Sequence, residues 1–157
     1  MRVVVDTNKI IAALVKPGRV RTILIALTTK PLTPRYSRNE IMVHQREILR
    51  KTGYNPVEFR KTLQLIYKYI TQTDPREEYL EKARRIAGRF DVKDAPFIAL
   101  ALQERAVLWT NDREIIGEAV RGGYREYTAV DTTGLQMLLE EKSKGEVLRA
   151  MKTRYLG

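Results

Sequence analysis

The chain has 157 residues, 43% of them hydrophobic, which is enough for one domain with a sizeable core. It has no cysteine, so disulfide frameworks, thiolate zinc sites and cysteine nucleophiles are excluded, and a reducing compartment fits. The net charge of +10 favours a polyanion such as RNA or DNA as partner, although a charged, thermophile-like surface explains it equally well. Since no apolar run approaches the roughly 18 residues of a spanning helix, we expect a cytoplasmic protein without a membrane segment.

The N-terminal part of the chain alternates strand and helix signals. Residues 2–5, with the apolar run "VVV", are typical of a buried strand, and the spacing after them predicts a helix that breaks at Pro17. A second helix is predicted near residues 19–28. Residues 32–34 predict a short strand, which its proline restricts to an edge or an end of the sheet.

The middle of the chain contains three helix-start signals. The segment "SRNE" predicts a capping box that opens a helix from Ser37 to Lys51, with Glu40 reaching back from its third position. The segments "NPVE" at 55–58 and "DPRE" at 74–77 place proline in the first turn. They predict helices that end near Ile70 and Arg89.

The C-terminal half returns to alternation. A helix opened by Asp94 is followed by a strand over 106–110, a helix, a strand over 127–130 and a further helix, and "SKGE" at 143–146 starts a terminal helix. This order predicts an α/β fold in which helices on both faces cover a parallel sheet of four to five strands. Ligands of such folds bind outside the carboxyl ends of the strands.

Two of the predicted strands end alike. The run "VVV" leads into Asp6, and "AVLW" leads through Thr110 and Asn111 into Asp112. Each of these acids can be a helix cap, as can Glu40 and Asp94. Carboxylates gathered at one sheet edge would repel each other unless a cation lay between them, and hard oxygen ligands suit Mg²⁺ or Mn²⁺.

Four segments carry these residues in a recognisable order and spacing: "VVVDTNKIIAAL", "NEIMVHQREILRK", "FDVKDAPFIALAL" and "LWTNDREI". They resemble the PIN-domain nucleases, in particular an archaeal-type, VapC-toxin-like branch that shows Glu-Ile-x-x-x-His and Trp-x-Asn-Asp. The resemblance implies a PIN-like three-layer α/β/α domain over residues 1–142. Residues 143–157 are left as a basic C-terminal helix appended to the same domain.

The resemblance also implies the residues of a catalytic metal site for Mg²⁺ or Mn²⁺. Its ligands would be Asp6, Glu40, Asp94 and Asp112. Residues in supporting roles would be Asn8, His44, Asp91, Thr110, Asn111 and Glu114. In other branches the acid on the third helix lies about one turn later, where this chain has His44, so Glu40 is either a ligand or only a helix cap.

Clustered basic residues supply candidate phosphate contacts, with solvated helix faces as the alternative interpretation. They are Arg46, Arg50, Lys51, Arg84, Arg85 and Arg89, together with the terminal stretch 142–157. The function implied is a divalent-metal-dependent endoribonuclease, homodimeric, acting either as a toxin opposed by an antitoxin protein or in RNA processing. The alternative is a non-catalytic module that binds nucleic acid or protein.

Overall fold

A sheet of five parallel strands forms the centre of the computed structural model, which describes all residues, 1–157. The strand order is β3-β2-β1-β4-β5, so the first strand of the chain is the central one. The strands are β1 (Val3–Val5), β2 (Leu32–Thr33), β3 (Thr71–Gln72), β4 (Val107–Trp109) and β5 (Thr128–Val130). The predicted α/β class and parallel sheet are confirmed.

Ten helices flank the sheet and complete the three-layer α/β/α architecture. They are α1 (Thr7–Val15), α2 (Arg19–Ala26), α3 (Tyr36–Val43), α4 (Gln45–Thr52), α5 (Pro56–Tyr67), α6 (Glu77–Ala87), α7 (Ala95–Glu104), α8 (Arg113–Arg121), α9 (Thr132–Leu139) and α10 (Lys144–Tyr155). A short 3₁₀ helix, Val92–Asp94, precedes α7. No helix combines the length and the apolar character needed to cross a lipid bilayer.

The central strands are short, buried on both faces, and followed by polar residues. All three residues of β1 are buried, and they pair in register with β4, with Val5 opposite Trp109. The α7 helix, apolar almost all round, packs on β1 and β4. Trp109, Phe59 and Phe97 are among the largest fully buried side chains, each contributing about 1.5–3 kcal/mol by burial.

The sheet differs from the sequence prediction at β2 and β3. Strand β2 lies between β1 and β3, so its predicted place at an edge is wrong. Pro31 and Pro34 flank the two-residue strand without interrupting it, since the carbonyl of Pro31 still accepts a 2.8 Å hydrogen bond from the amide of Thr71. Strand β3 was not predicted, because a two-residue polar strand has no hydrophobic period.

The predicted helix 37–51 is two helices separated at His44, whose backbone is non-helical (φ −94°, ψ 8°). The predicted capping box at its start is wrong. Helix α3 begins earlier, and Ser37 lies inside it, buried, with its hydroxyl 2.6 Å from that of Tyr67. This tertiary hydrogen bond removes Ser37 from the cap position and leaves Glu40 without a capping role.

The structure confirms the predicted start of α5 and moves that of α6. The capping box of α5 is confirmed, because Asn55 accepts from the amide of Glu58 and the Glu58 carboxylate accepts from the amide of Asn55. Helix α6 begins only at Glu77, since Asp74 instead accepts a 3.0 Å hydrogen bond from the amide of Arg35. The two helices end at Tyr67 and Ala87, a few residues short of the predicted ends.

The terminal helix α10 packs against α8 and α9 and buries Val147 and Met151. Its predicted start is confirmed, and Ser143 caps it by accepting a hydrogen bond from the amide of Glu146. A Cβ atom on Gly134 would lie 2.8 Å from Cβ of Val130 and 3.3 Å from Cε of Met151. The close packing of α9 between β5 and α10 therefore requires glycine at this position.

Candidate active site

The register of β1 and β4 brings two polar segments together at the carboxyl edge of the sheet. Asp6 follows β1 and Thr110 follows β4, and the amide of Asp6 donates a 3.0 Å hydrogen bond to the carbonyl of Trp109. The amide of Thr110 donates in turn to Val130, at the end of β5. The strand ends that look alike in sequence are therefore neighbours in space.

Asp6 is held rigidly at this edge. Its Oδ1 accepts from the amide of Thr7 at 2.8 Å, so it caps α1, while Oδ2 accepts from the Thr110 hydroxyl at 2.5 Å and from Nδ2 of Asn8 at 3.0 Å. The residue is only 6% exposed. Burial raises the pKa of the Asp6 carboxyl to about 6, although the hydrogen bonds from Thr110 and Thr7 lower it in part.

Asp94 has the environment least explained by a structural role. It directly precedes α7 but makes no side-chain capping hydrogen bond, so its predicted capping alternative is wrong. Its Oδ2 is buried without any hydrogen-bond partner, whereas buried polar atoms are almost always paired. An unpaired buried carboxylate oxygen is the atom expected where a ligand from outside the chain completes the site.

The pKa of Asp94 shows that other carboxylates lie near it. Burial, the largest cause, raises the pKa of the Asp94 carboxyl to about 8. Negative charges on neighbouring carboxylates raise it further, in descending order Asp112, Asp6, Asp91 and Glu40. The other three predicted metal ligands are thus near enough for their charges to act on Asp94, and such repulsion favours a cation near it.

Glu40 contacts the first helix instead of its own helix end. The hydroxyl of Thr7 donates a 2.5 Å hydrogen bond to Oε1 of Glu40, which joins α3 to α1 beside Asp6. Burial raises the pKa of the Glu40 carboxyl, and the hydrogen bond from Thr7 lowers it in part. The structure thus places Glu40 at the site and supplies no capping explanation for it.

Asp112 serves as a cap and still faces the site. Its Oδ1 accepts from the amides of Glu114 and Ile115 at 2.9 and 3.1 Å, which opens α8. Its own amide donates to the Thr110 hydroxyl at 3.0 Å, and the amide of Asn111 donates to Oδ1 of Asn8 at 3.2 Å. Capping and site roles are therefore compatible, because the cap uses one oxygen of the carboxylate.

His44, Asp91 and Glu114 are predicted supporting residues, and all three are exposed. His44 has a side chain 54% exposed and makes no hydrogen bond to Glu40, and its Nδ1 is 3.8 Å from Glu47. Asp91 is exposed and caps the short 3₁₀ helix through the amide of Lys93. Glu114 is exposed on the first turn of α8, so the structure does not bring it into the cluster.

The donor set fits a divalent ion of the magnesium type. No three acidic or histidine side chains converge closely enough to enclose an ion by themselves. Mg²⁺ retains several waters and is usually bound through one or two carboxylates together with substrate phosphates. The free Oδ2 of Asp94 and the remaining lone pairs of Asp6 are oxygen donors of this kind.

Two residues of the site were missed by sequence reasoning. Thr7 joins Asp6 to Glu40, and Lys9 is buried at 4% exposure behind the loop that carries Asn111. The sequence does indicate that Lys9 is buried, because Lys9 lies four residues before the apolar Ala13, on the inner face of α1. Charged residues are assigned to the surface by default, so this signal is easily passed over.

The predicted phosphate contacts are exposed, and half of them are engaged within the chain. Lys51 pairs with Glu47, Arg84 with Glu77 and Arg89 with Glu118, at 3.1, 2.8 and 2.7 Å. The other three, which form no ion pair, are Arg46, Arg50 and Arg85. The structure neither groups the six residues at the carboxylates nor excludes them as RNA contacts.

A cavity of about 470 Å³ lies away from the carboxylates. It is lined by Val107 and Thr128, the first residues of β4 and β5, and so lies at the opposite edge of the sheet. A smaller cavity, about 270 Å³, is lined by Asn8, which donates to Asp6, and by His44.

Comparisons with known proteins give the family of the chain. The sequence model of the PIN domain matches residues 4–142, which spans all four carboxylates and ends just before α10. A search of curated proteins found no match.

Proposed function

The chain belongs to the PIN-domain family, whose members are in general nucleases, and from this premise we propose that it is a divalent-metal-dependent endoribonuclease. Its substrate is RNA, and it uses Mg²⁺ or Mn²⁺ to hydrolyse phosphodiester bonds. The observation that carries the proposal is the buried, unpartnered Oδ2 of Asp94, which faces the charges of Asp6, Glu40 and Asp112.

The chemistry divides between the ion and the chain. A bound divalent ion supplies Lewis-acid activation of water and neutralises charge on the phosphate. Asp6 and Asp94 would provide oxygen ligands, and Asp6 would do so from a fixed position, since Thr110, Asn8 and the end of β1 leave it no freedom to reorient. Such preorganised charge contributes most when the site does not rearrange during the reaction.

Glu40 and Asp112 complete the acidic surface from either side. Glu40 is oriented by Thr7, and Asp112 is oriented by the two amides that it caps. Positions on both sides of Asp6 suit groups that orient a water and a phosphate in line for attack.

The cellular role belongs to the same proposal. A homodimeric toxin opposed by an antitoxin protein, and an RNA-processing nuclease without one, are both consistent with the exposed basic residues on α4, α6 and α10. These cations would bind phosphates without reading sequence.

A non-catalytic nucleic-acid-binding module is the second candidate. One observation favours it: no three acidic side chains enclose an ion. Binding RNA without cleaving it in any divalent metal would establish this alternative.

The deciding experiment is a cleavage assay on a labelled RNA pool with Mn²⁺, Mg²⁺ or EDTA. We expect cleavage with either metal and none with EDTA. Asp94→Asn should lower the rate on the order of a hundredfold, as loss of a charge that serves the transition state does. Asp74→Asn is the matched control, because Asp74 is exposed and pairs only with Arg35. Full cleavage in EDTA would refute the proposal.

A further inference from the structure

A buried ammonium group lies immediately behind the acidic site. Lys9 is on α1, and its Nζ donates to the hydroxyl of Thr132 at 3.0 Å and to Oδ1 of Asn111. Thr132 begins α9, and Asn111 belongs to the loop between β4 and α8. One side chain therefore joins three elements that meet at the carboxyl edge of the sheet.

Packing alone does not account for a lysine at this position. Burial lowers the pKa of the Lys9 ammonium to about 8, opposed by the negative charges of Asp131 and Asp6. An apolar side chain of similar volume would occupy the space without the desolvation cost. The neighbouring Trp109 donates from Nε1 to the same Thr132 hydroxyl at 3.1 Å, so the lysine is part of a built polar network.

The contact with Asn111 is the functionally informative one. The backbone of the 110–112 loop is held by side chains of the site, with Asn111 donating to Asn8 and Asp112 donating to Thr110. The side chain of Asn111 is held from behind by Lys9, although Asn111 itself is exposed. Asp112 is the next residue, so its place beside Asp94 depends on this loop.

We infer that Lys9 is a positioning residue, which acts through Asn111 to hold the 110–112 loop in the conformation that presents Asp112 to the other carboxylates. The inference rests on the proposed function, since it assigns a purpose to the placement of Asp112. The contact itself is testable without any substrate.

Amide hydrogen exchange tests the positioning directly. In the metal-free protein, Lys9→Met should raise the exchange rates of the Asn111 and Asp112 amides at least tenfold, because both are protected by hydrogen bonds within the loop. The control is Lys16→Met, at the exposed end of the same helix, which should leave these rates unchanged. If the Asn111 and Asp112 amides of Lys9→Met exchange at wild-type rates, the inference is overturned.

Asn111→Ala keeps the test decisive if Lys9→Met does not fold, because it alters an exposed residue. It should raise the exchange rate of the Asp112 amide to the same extent, and unchanged exchange would overturn the inference. Where both variants fold, the double variant should exchange no faster than either single one, since coupled residues are not additive.

RNA cleavage then tests the consequence for the reaction. Lys9→Met and Asn111→Ala should each lower kcat about tenfold with little change in KM, and the double variant should lose no more than one of them. Faster exchange with unaltered kcat would overturn the role in catalysis. A wild-type protein that cleaves no RNA would refute the proposed function alone, since the exchange result decides the role of Lys9 without substrate.

Discussion

Thr110 donates a 2.5 Å hydrogen bond from its hydroxyl to Oδ2 of Asp6, although 104 residues separate the two in the chain. The same hydroxyl accepts from the amide of Asp112, so it joins two of the proposed metal ligands. Asp6 follows β1 and Thr110 follows β4, and these strands pair in register, so the two residues lie side by side.

The first prediction concerns this hydroxyl. Thr110→Val preserves the shape of the side chain but leaves Asp6 with one hydrogen bond fewer, at a cost of about 1–3 kcal/mol in unfolding free energy. We expect RNA cleavage to fall about tenfold. Thr128→Val, at the buried amino end of β5, is the control. Equal activity in Thr110→Val and wild type would show that Asp6 needs no such orientation.

The second prediction concerns the pH dependence of stability without metal. The carboxyl of Asp94 has a pKa of about 8 in the folded protein, against about 3.9 in an unfolded chain. Between these values the folded state binds more protons than the unfolded state, so stability falls as pH rises. The melting temperature of the wild type in EDTA should fall from pH 5 to pH 8. The melting temperature of Asp94→Asn should fall less steeply over this range, whereas that of Asp74→Asn should fall as it does in the wild type.

The third prediction concerns metal binding. A divalent ion at about a hundred times its Kd should stabilise the folded wild type by about 2.7 kcal/mol. Asp94→Asn should gain less, since it replaces the carboxylate that has a free oxygen. Thermal melting with Mn²⁺ or EDTA measures both. If the wild type melts at the same temperature in either, the carboxylates do not form a metal site.

The fourth prediction separates charge from hydrogen bonding at Glu40. Glu40→Gln still offers an oxygen to the Thr7 hydroxyl, so the contact between α1 and α3 should persist. We expect an unchanged fold by circular dichroism and cleavage at least tenfold slower. Normal cleavage would show that the charge of Glu40 is not needed, and Asp91, whose charge also raises the pKa of Asp94, would be replaced next.

The fifth prediction concerns the basic terminal helix. Deleting α10 would remove the buried Val147 and Met151 and uncover the surfaces of α8 and α9 on which the helix packs, so charge neutralisation is the cleaner test. Replacing the exposed Lys144, Arg149 and Lys152 by Gln should flatten the dependence of log K on log salt by about 0.7 for each lost contact to single-stranded RNA. Arg154 is left in place because it binds Asp131 at 2.8 Å. An unchanged slope would mean that the helix does not contact RNA.

Much of this site follows from local sequence patterns. Asp6, Thr110 and Asp112 are predictable because parallel strands of equal length end at one sheet edge, and polar residues that follow such strands must meet there. The position of Glu40 is not predictable in this way. The start of α3 is set by the buried hydrogen bond between Ser37 and Tyr67, a tertiary contact that no local capping rule contains.

Dependence on tertiary contacts also explains the other differences between the predicted and the observed structure. Strand β3 has two polar residues and exists because the backbone of β2 offers it hydrogen bonds. Lys9 is buried because Thr132 and Asn111 converge on it from distant parts of the chain. Local propensity describes each segment well, whereas these features depend on which segments become neighbours.

The central place of β1 determines when the site comes into being during synthesis. Strand β1 is synthesised first, and it pairs with β2 and β4. Because β4 ends only at Trp109, more than 100 residues are synthesised before Thr110 can bind Asp6. Contacts this distant in sequence also slow folding. A nascent chain that still lacks β4 therefore has no assembled acidic site.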